Sequence, residues 1–104
     1  MTKYQWAEIR KATKIKCIKD LVIPIEKLRK RYSDREWPEP AIAFREGEEY
    51  FVNLERFIGE DHPLSGAEVL FTEDLLGLTH ILAAENATNK AFCQHFEIIY
   101  FERR

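Results

Sequence analysis

Four side chains that could perform acid–base, nucleophilic or metal-binding chemistry are spread along the sequence: His62, His80, Cys93 and His95. Cys93 and His95 lie two positions apart, which on a strand places a thiol and an imidazole on the same face. The sequence has no Cys-x-x-Cys and no His-Glu-x-x-His pattern, so the spacings favour no metal site. Because no third group that would orient the pair is recognisable, we predict no catalytic residue, no metal and no cofactor.

A second candidate lies in the segment 59–66, where Asp61, His62 and Ser65 are close in sequence. Acid, base and nucleophile are all present, but the surrounding Asp, Pro and Gly residues are typical of a turn built for backbone reasons. The four glycines of the chain have no phosphate-cradling spacing. We therefore predict that the protein is not an enzyme and acts by binding.

The segment 14–35 is strongly basic and could contact nucleic-acid phosphates. Glu26 lies four residues before Lys30 and Asp34 four residues after it, which is the spacing at which a helix pairs opposite charges. Residues 24–35 contain no Asn or Gln that could read adenine. The candidates for phosphate contacts are Lys14, Lys16, Lys27, Lys30, Arg31 and Arg35.

The charge is unevenly divided along the chain. Residues 1–36 hold 11 Lys and Arg against 5 Asp and Glu (+6), whereas residues 37–104 hold 5 against 13 (−8). Either each half presents a patch to an oppositely charged partner, or the two halves fold together and neutralise each other. For a protein partner, the candidate acidic residues lie on two loops that we expect to be adjacent: Glu46, Glu48, Glu49, Glu60 and Asp61.

The length of 104 residues and the 45% hydrophobic content predict one domain, 1–104, around a single core. We expect an α+β fold with a mainly antiparallel sheet of about four strands and three or four short helices. Helical spacing or capping residues predict helices over 3–12, 24–33, 53–58 and from Thr72 to Asn86. Alternation or apolar runs predict strands over 13–19, 41–45, 49–52, 68–71 and 91–102, with 41–45 and 49–52 forming a hairpin.

Cys17 and Cys93 could form a disulfide or remain two buried thiols. The sequence shows no secretory signal pattern, which favours thiols, and no apolar run of membrane-spanning length. We therefore expect a cytoplasmic protein without a membrane partner.

Three functional hypotheses follow. The first is a protein-interaction module, such as an inhibitor, immunity protein or regulator, that uses the acidic residues. The second is nucleic-acid binding through residues 14–35. The third is a small-ligand sensor, which requires an unfilled pocket in the aromatic-rich interior. A homo-oligomer is compatible with each of them.

Overall fold

Eleven short elements make up residues 4–101, the part of the chain that the structure, a computed structural model, describes. The helices are α1 (Trp6–Ile9), α2 (Ile25–Arg31) and α3 (Lys90–His95). The strands are β1 (Lys14–Cys17), β2 (Leu21–Ile23), β3 (Ala41–Phe44), β4 (Glu49–Phe51), β5 (Asn53–Arg56), β6 (Glu68–Glu73), β7 (Thr79–Ala84) and β8 (Phe96–Tyr100).

The strands form three small antiparallel sheets, with strand orders β4–β1–β8, β2–β3 and β5–β6–β7. The predicted α+β class with mainly antiparallel strands is confirmed, and the described residues form three short helices where three or four were predicted. The predicted strands over 41–45 and 49–52 also form, but not as a hairpin, because β3 pairs with β2 and β4 pairs with β1.

The main core lies between the sheets and is rich in aromatic rings. Phe44 is fully buried, and its ring centroid lies 5.0 Å from that of Tyr50 and 5.2 Å from that of Phe96, both in edge-to-face geometry. The alternation of β1 turns Ile15 and Cys17 into this core and its two lysines outward. The inward side of the sheet β4–β1–β8 is therefore buried in the core, and this packing holds the strands that carry the outward side.

Helix α2 belongs to a second, smaller cluster. Ile25 and Leu28 are buried against Ala41, and Tyr32 packs beside them. The helix predicted over 24–33 therefore forms, with the bounds Ile25–Arg31. The predictions at the N-terminus were broadly correct in type but too long. The helix predicted over 3–12 spans 6–9, with residue 3 outside the described part, and the strand predicted over 13–19 spans 14–17.

The prediction of a helix over 53–58 was wrong. Residues 53–56 form β5, which pairs along its whole length with β6, from Asn53 opposite Phe71 to Arg56 opposite Glu68. Leu54 packs against the core, while Asn53 points to solvent and caps no helix. Pairing with a neighbouring strand has overridden the local helical spacing of the apolar residues.

The prediction of a helix from Thr72 to Asn86 was also wrong, because this segment is the hairpin β6–β7. Gly77 interrupts the helical spacing with φ of +83°, a conformation that glycine adopts without steric cost. The Asp74 carboxylate organises the turn, since its Oδ1 accepts hydrogen bonds from the backbone N–H groups of Leu76 and Leu78, both at 2.8 Å. The Asp74 carboxylate is therefore the centre of a turn.

The strand predicted over 91–102 is divided in the structure. Its first part is α3, with Phe92 and Cys93 buried, and β8 begins only at Phe96; residue 102 lies outside the described part. The Asn89 side chain precedes the helix and bonds both the N–H and the carbonyl of Ala84, at 2.8 and 3.0 Å. β8 pairs with β1 and lies at one end of its sheet.

Candidate functional site

The outward side of the sheet β4–β1–β8 carries two rows of side chains that the strand register places next to each other. In the first row, Lys14 lies between Phe51 and Tyr100. In the second row, Lys16 lies between Glu49 and Glu97. We call these six residues the sheet face: Lys14, Lys16, Glu49, Phe51, Glu97 and Tyr100.

The two aromatic rings of the sheet face are exposed to an unusual degree. Phe51 is 73% exposed and Tyr100 is 51% exposed, and the next residue, Phe101, is 48% exposed. The Nζ atom of Lys14 lies 5.0 Å from the ring centroid of Phe51 and 5.8 Å from that of Tyr100, which is cation–π distance. Lys14, between the exposed rings of Phe51 and Tyr100, therefore forms the centre of this surface.

Hydrogen bonds fix the backbone of the two residues that carry the rings. The carbonyl of Phe51 accepts a bond from the buried hydroxyl of Thr72 at 2.7 Å, and the carbonyl of Tyr100 accepts one from Thr13 N–H at 3.0 Å. Large side chains on a paired strand lose little further freedom on binding. The sheet face is therefore preorganised for contact with another molecule.

The charges of the sheet face are balanced. Lys14 Nζ lies 2.9 Å from Glu49 Oε1, and this hydrogen bond to Glu49 raises the pKa of Lys14 above its ordinary value. Lys16 faces Glu49 and Glu97 across the strands. Two lysines and two glutamates thus cancel on this surface, and Lys14 does not act as a free cation.

Sequence reasoning missed Tyr100 because of a β-bulge. Strict alternation puts Phe96, Ile98 and Tyr100 on one face, but the register with β1 shifts between Lys14 and Ile15, where Ile15 faces Ile98 and Lys14 faces Tyr100. The extra residue, Ile99, turns Tyr100 to the outside. No pattern in the sequence predicts this register shift.

The predicted acidic residues lie on two separate loops. Glu46 and Glu48 occupy the turn before β4, and Glu49 begins that strand, so these three border the sheet face. Glu60 and Asp61 lie in the loop after β5, which follows β4 in the sequence. Among residues 4–101, no hydrogen bond or ion pair joins the two loops.

The predicted basic residues are also divided. Lys14 and Lys16 belong to the sheet face, whereas Lys27, Lys30 and Arg31 lie on α2 and are exposed. Arg35 lies with its guanidinium 3.8 Å from the ring centroid of Trp37 and donates a 2.8 Å bond to the Leu76 carbonyl. The helical pairs expected from Glu26 and Asp34 do not form within 4 Å in the described part of the chain.

The ion pairs that do form join the two differently charged halves. Arg10 pairs with Glu68 at 3.3 Å, and Arg29 approaches Glu39 at 4.0 Å, in addition to the pair of Lys14 with Glu49. Within residues 4–101, each Lys or Arg ion pair connects a base from residues 1–36 with an acid from residues 37–104. Part of the charge asymmetry is therefore neutralised inside the fold.

The candidates for catalysis serve local structure. Cys93 and His95 lie on α3 rather than on a strand, and His95 Nδ1–H donates a 3.0 Å bond to the Lys19 carbonyl. His62 Nδ1 accepts a bond from Leu64 N–H at 3.1 Å, as part of the turn in 59–66. Residues 4–101 contain no group of three or more His, Cys, Asp or Glu arranged to hold a metal ion.

The two thiols are separate and buried, as expected from the sequence. Cys17 Sγ donates a 3.0 Å bond to the Lys19 carbonyl, and burial raises the pKa of this thiol. Cys17 and Cys93 do not form a disulfide.

Comparison with known proteins gives no relative: no family model matches the chain, and no curated protein or solved structure matches it significantly. None of the helices within the described residues has the length and apolar character needed to cross a membrane.

Proposed function

We propose that this chain is a protein-interaction module, of the kind represented by inhibitors, immunity proteins and regulators, and that it binds its partner through the sheet face. The observation that carries the proposal is the pair of exposed rings, Phe51 and Tyr100, on either side of Lys14. Large aromatic side chains supply most of the binding energy at protein interfaces when a partner desolvates them.

The arrangement of charge around the rings defines the chemistry of the partner. Glu49 and Glu97 lie on the two outer strands, and Glu46 and Glu48 lie in the adjoining turn. Because Lys14 and Lys16 balance Glu49 and Glu97, the acidic character of the border comes from Glu46 and Glu48. An apolar centre with this acidic border complements a protein surface with an apolar patch and neighbouring Lys or Arg residues. Such complementarity steers association and selects the partner.

The same rings could stack nucleic-acid bases, but the paired charges of the sheet face favour a protein as the partner. Proteins that bind single strands combine aromatic platforms with a positively charged groove that follows the phosphates. On the sheet face, Lys14 is paired with Glu49, and Lys16 has a glutamate on each side. A phosphate chain would therefore gain little there, so we assign nucleic acid no role at this surface.

Site-specific photo-cross-linking tests the proposal. We would place p-benzoylphenylalanine at position 51 and, as a matched control, at position 58, because Ile58 is 92% exposed in the loop after β5. Cross-linking is performed in the native cells, and each captured protein is identified, purified and tested for direct binding.

We expect one protein that cross-links at position 51 but not at position 58 and that binds the purified chain. Equal capture at both positions, or capture only at position 58, would contradict the proposal. A cross-link to nucleic acid, or to a second copy of the same chain, would replace the protein partner with that occupant.

A further inference from the structure

A cleft of about 230 Å³ lies between α2 and the start of β7, and it shares no residue with the sheet face. We call it the α2–β7 cleft. Its apolar lining comes from Ile23, Leu28 and Leu78, and its polar lining comes from Lys27, Arg31, Tyr32, Thr79 and His80. The two elements are far apart in sequence, so only the fold brings these polar groups together.

The cations of the cleft are not neutralised. Lys27 and Arg31 lie four residues apart on α2, hence on the same side of the helix. In contrast to Lys14, neither has a carboxylate within 4 Å among the described residues. No Asp or Glu lines the cleft, and Arg31 lies 5.8 Å from the ring centroid of Tyr32.

The neutral donors of the cleft are also available. The hydroxyl groups of Tyr32 and Thr79 make no hydrogen bond to any residue within 4–101. Both can donate to an oxygen acceptor. Together with Lys27 and Arg31, they give the cleft four groups that can contact an anion.

A buried carboxylate fixes the imidazole at the edge of the cleft. His80 Nε2 lies 2.5 Å from Asp74 Oδ2, and the Asp74 side chain is completely shielded from solvent. The other oxygen of Asp74 is occupied by the N–H groups of Leu76 and Leu78. Since the carboxylate requires a proton on Nε2, the ring is held in one orientation, with Nδ1 not engaged by any described residue.

We propose that the α2–β7 cleft binds a small phosphorylated molecule, with the phosphate between Lys27 and Arg31 and the carbon skeleton on the apolar lining. An ammonium and a guanidinium on one side of α2, with the Tyr32 hydroxyl at the end of the same helix and the Thr79 hydroxyl on β7, match the three terminal oxygens of a phosphomonoester. The volume of about 230 Å³ is smaller than the roughly 300–1,000 Å³ of most ligand pockets, so the cleft can take only a small ligand. The apolar residues beside the cations distinguish this site from a surface that only follows a phosphate backbone.

Calorimetric titration at low salt tests the proposal with inorganic phosphate, phenyl phosphate and a short single-stranded oligonucleotide as probes. The variants are Lys27→Ala, Arg31→Ala and Thr79→Val. The matched control is Lys30→Ala, which removes the same charge from the same exposed helix but lies outside the cleft lining.

We expect phenyl phosphate to bind more tightly than inorganic phosphate, because its ring reaches the apolar lining. Lys27→Ala or Arg31→Ala should weaken phenyl phosphate binding at least ~10-fold and Thr79→Val a few-fold, whereas Lys30→Ala should change it less than about two-fold. Equal losses for Lys27→Ala and Lys30→Ala, or tighter binding of the oligonucleotide with a contribution from Lys30, would overturn the site. Absence of binding for both phosphate probes would overturn it as well.

Discussion

The sheet face and the α2–β7 cleft use similar residues in opposite ways. On the sheet face, Lys14 is paired with Glu49 and the rings of Phe51 and Tyr100 are open to solvent. In the cleft, Lys27 and Arg31 have no carboxylate partner among the described residues, and the lining is recessed. A count of charges along the chain therefore does not identify a candidate binding surface. The candidate surfaces become visible only when the pairing of those charges in the fold is known.

The largest expected effect is on the free energy of unfolding, where a buried and an exposed phenylalanine should differ. Phe44 is fully buried against Tyr50, Phe96 and His80, so Phe44→Ala should lower the free energy of unfolding by about 3–5 kcal/mol. Phe51→Ala removes an exposed ring of the same size and should change it by at most about 0.5 kcal/mol. Urea unfolding followed by circular dichroism measures both. Similar losses for the two variants would show that Phe51 is a packing residue and not a binding residue.

The next effect concerns the support of the cleft. Asp74→Ala leaves the N–H groups of Leu76 and Leu78 and the ring of His80 without their acceptor, and should cost about 1–3 kcal/mol of stability. Asp74→Asn keeps one acceptor oxygen and should cost less. The matched control is Glu73→Ala, because Glu73 is an exposed carboxylate one position away. Urea unfolding in which Asp74→Ala equals Glu73→Ala would contradict the role of Asp74 in the turn.

Alkaline pH should lower the stability of the protein through three groups on the sheet β4–β1–β8. Burial raises the pKa of the Cys17 thiol and the Tyr50 hydroxyl above their ordinary values of 9.0 and 10.0, and Glu49 raises the pKa of Lys14 above 10.5. In each case the unfolded chain releases its proton at a lower pH than the folded chain does. The contribution of these three groups to the free energy of unfolding should therefore be fully present at about pH 8 and fall as the pH rises toward about 11. Urea unfolding at a series of pH values measures this, and a flat profile over that range would contradict the environments of these groups.

The smallest expected effect tests the pairing on the sheet face. Glu49→Ala leaves Lys14 without its carboxylate, and the protein should then elute from a heparin column at a higher salt concentration than the unchanged chain. Glu60→Ala is the matched control, because it removes the same charge from an exposed loop without a described ion pair. If both variants elute at the same salt concentration, the elution depends on net charge alone, and the ion pair with Glu49 does not mask the charge of Lys14.

Local signals in the sequence predicted part of the fold. Pro24 followed by Ile25, Leu28 and Tyr32 predicted α2, and the alternation around Ile15 predicted β1, because each pattern depends on near neighbours. The segments 53–58 and 72–86 were read as helices, because their apolar spacing is helical and the strands that pair with them lie elsewhere in the chain. Short elements of this kind are decided by tertiary contacts.

The two candidate sites were less accessible to sequence reasoning. The sheet face depends on the bulge at Ile99, and the cleft depends on the approach of β7 to α2. Lys14 and Glu49 were predicted as members of opposite binding surfaces and are instead bonded to each other. Lys27 and Arg31 were predicted as candidates for phosphate contacts, but no pattern in the sequence places Tyr32, Thr79 and His80 beside them.

The affinity of the purified partner for two double variants tests the central claim most directly. Phe51→Ala with Tyr100→Ala removes the exposed rings of the sheet face, and Ile58→Ala with Leu75→Ala removes exposed apolar side chains elsewhere. We expect the first pair to weaken binding by a factor of about 30 or more, since a single interface hot spot contributes about 2 kcal/mol, and the second pair to change it less than about two-fold. Binding that survives loss of both rings, or that fails when Ile58 and Leu75 are changed, would contradict the assignment of the sheet face as the docking surface.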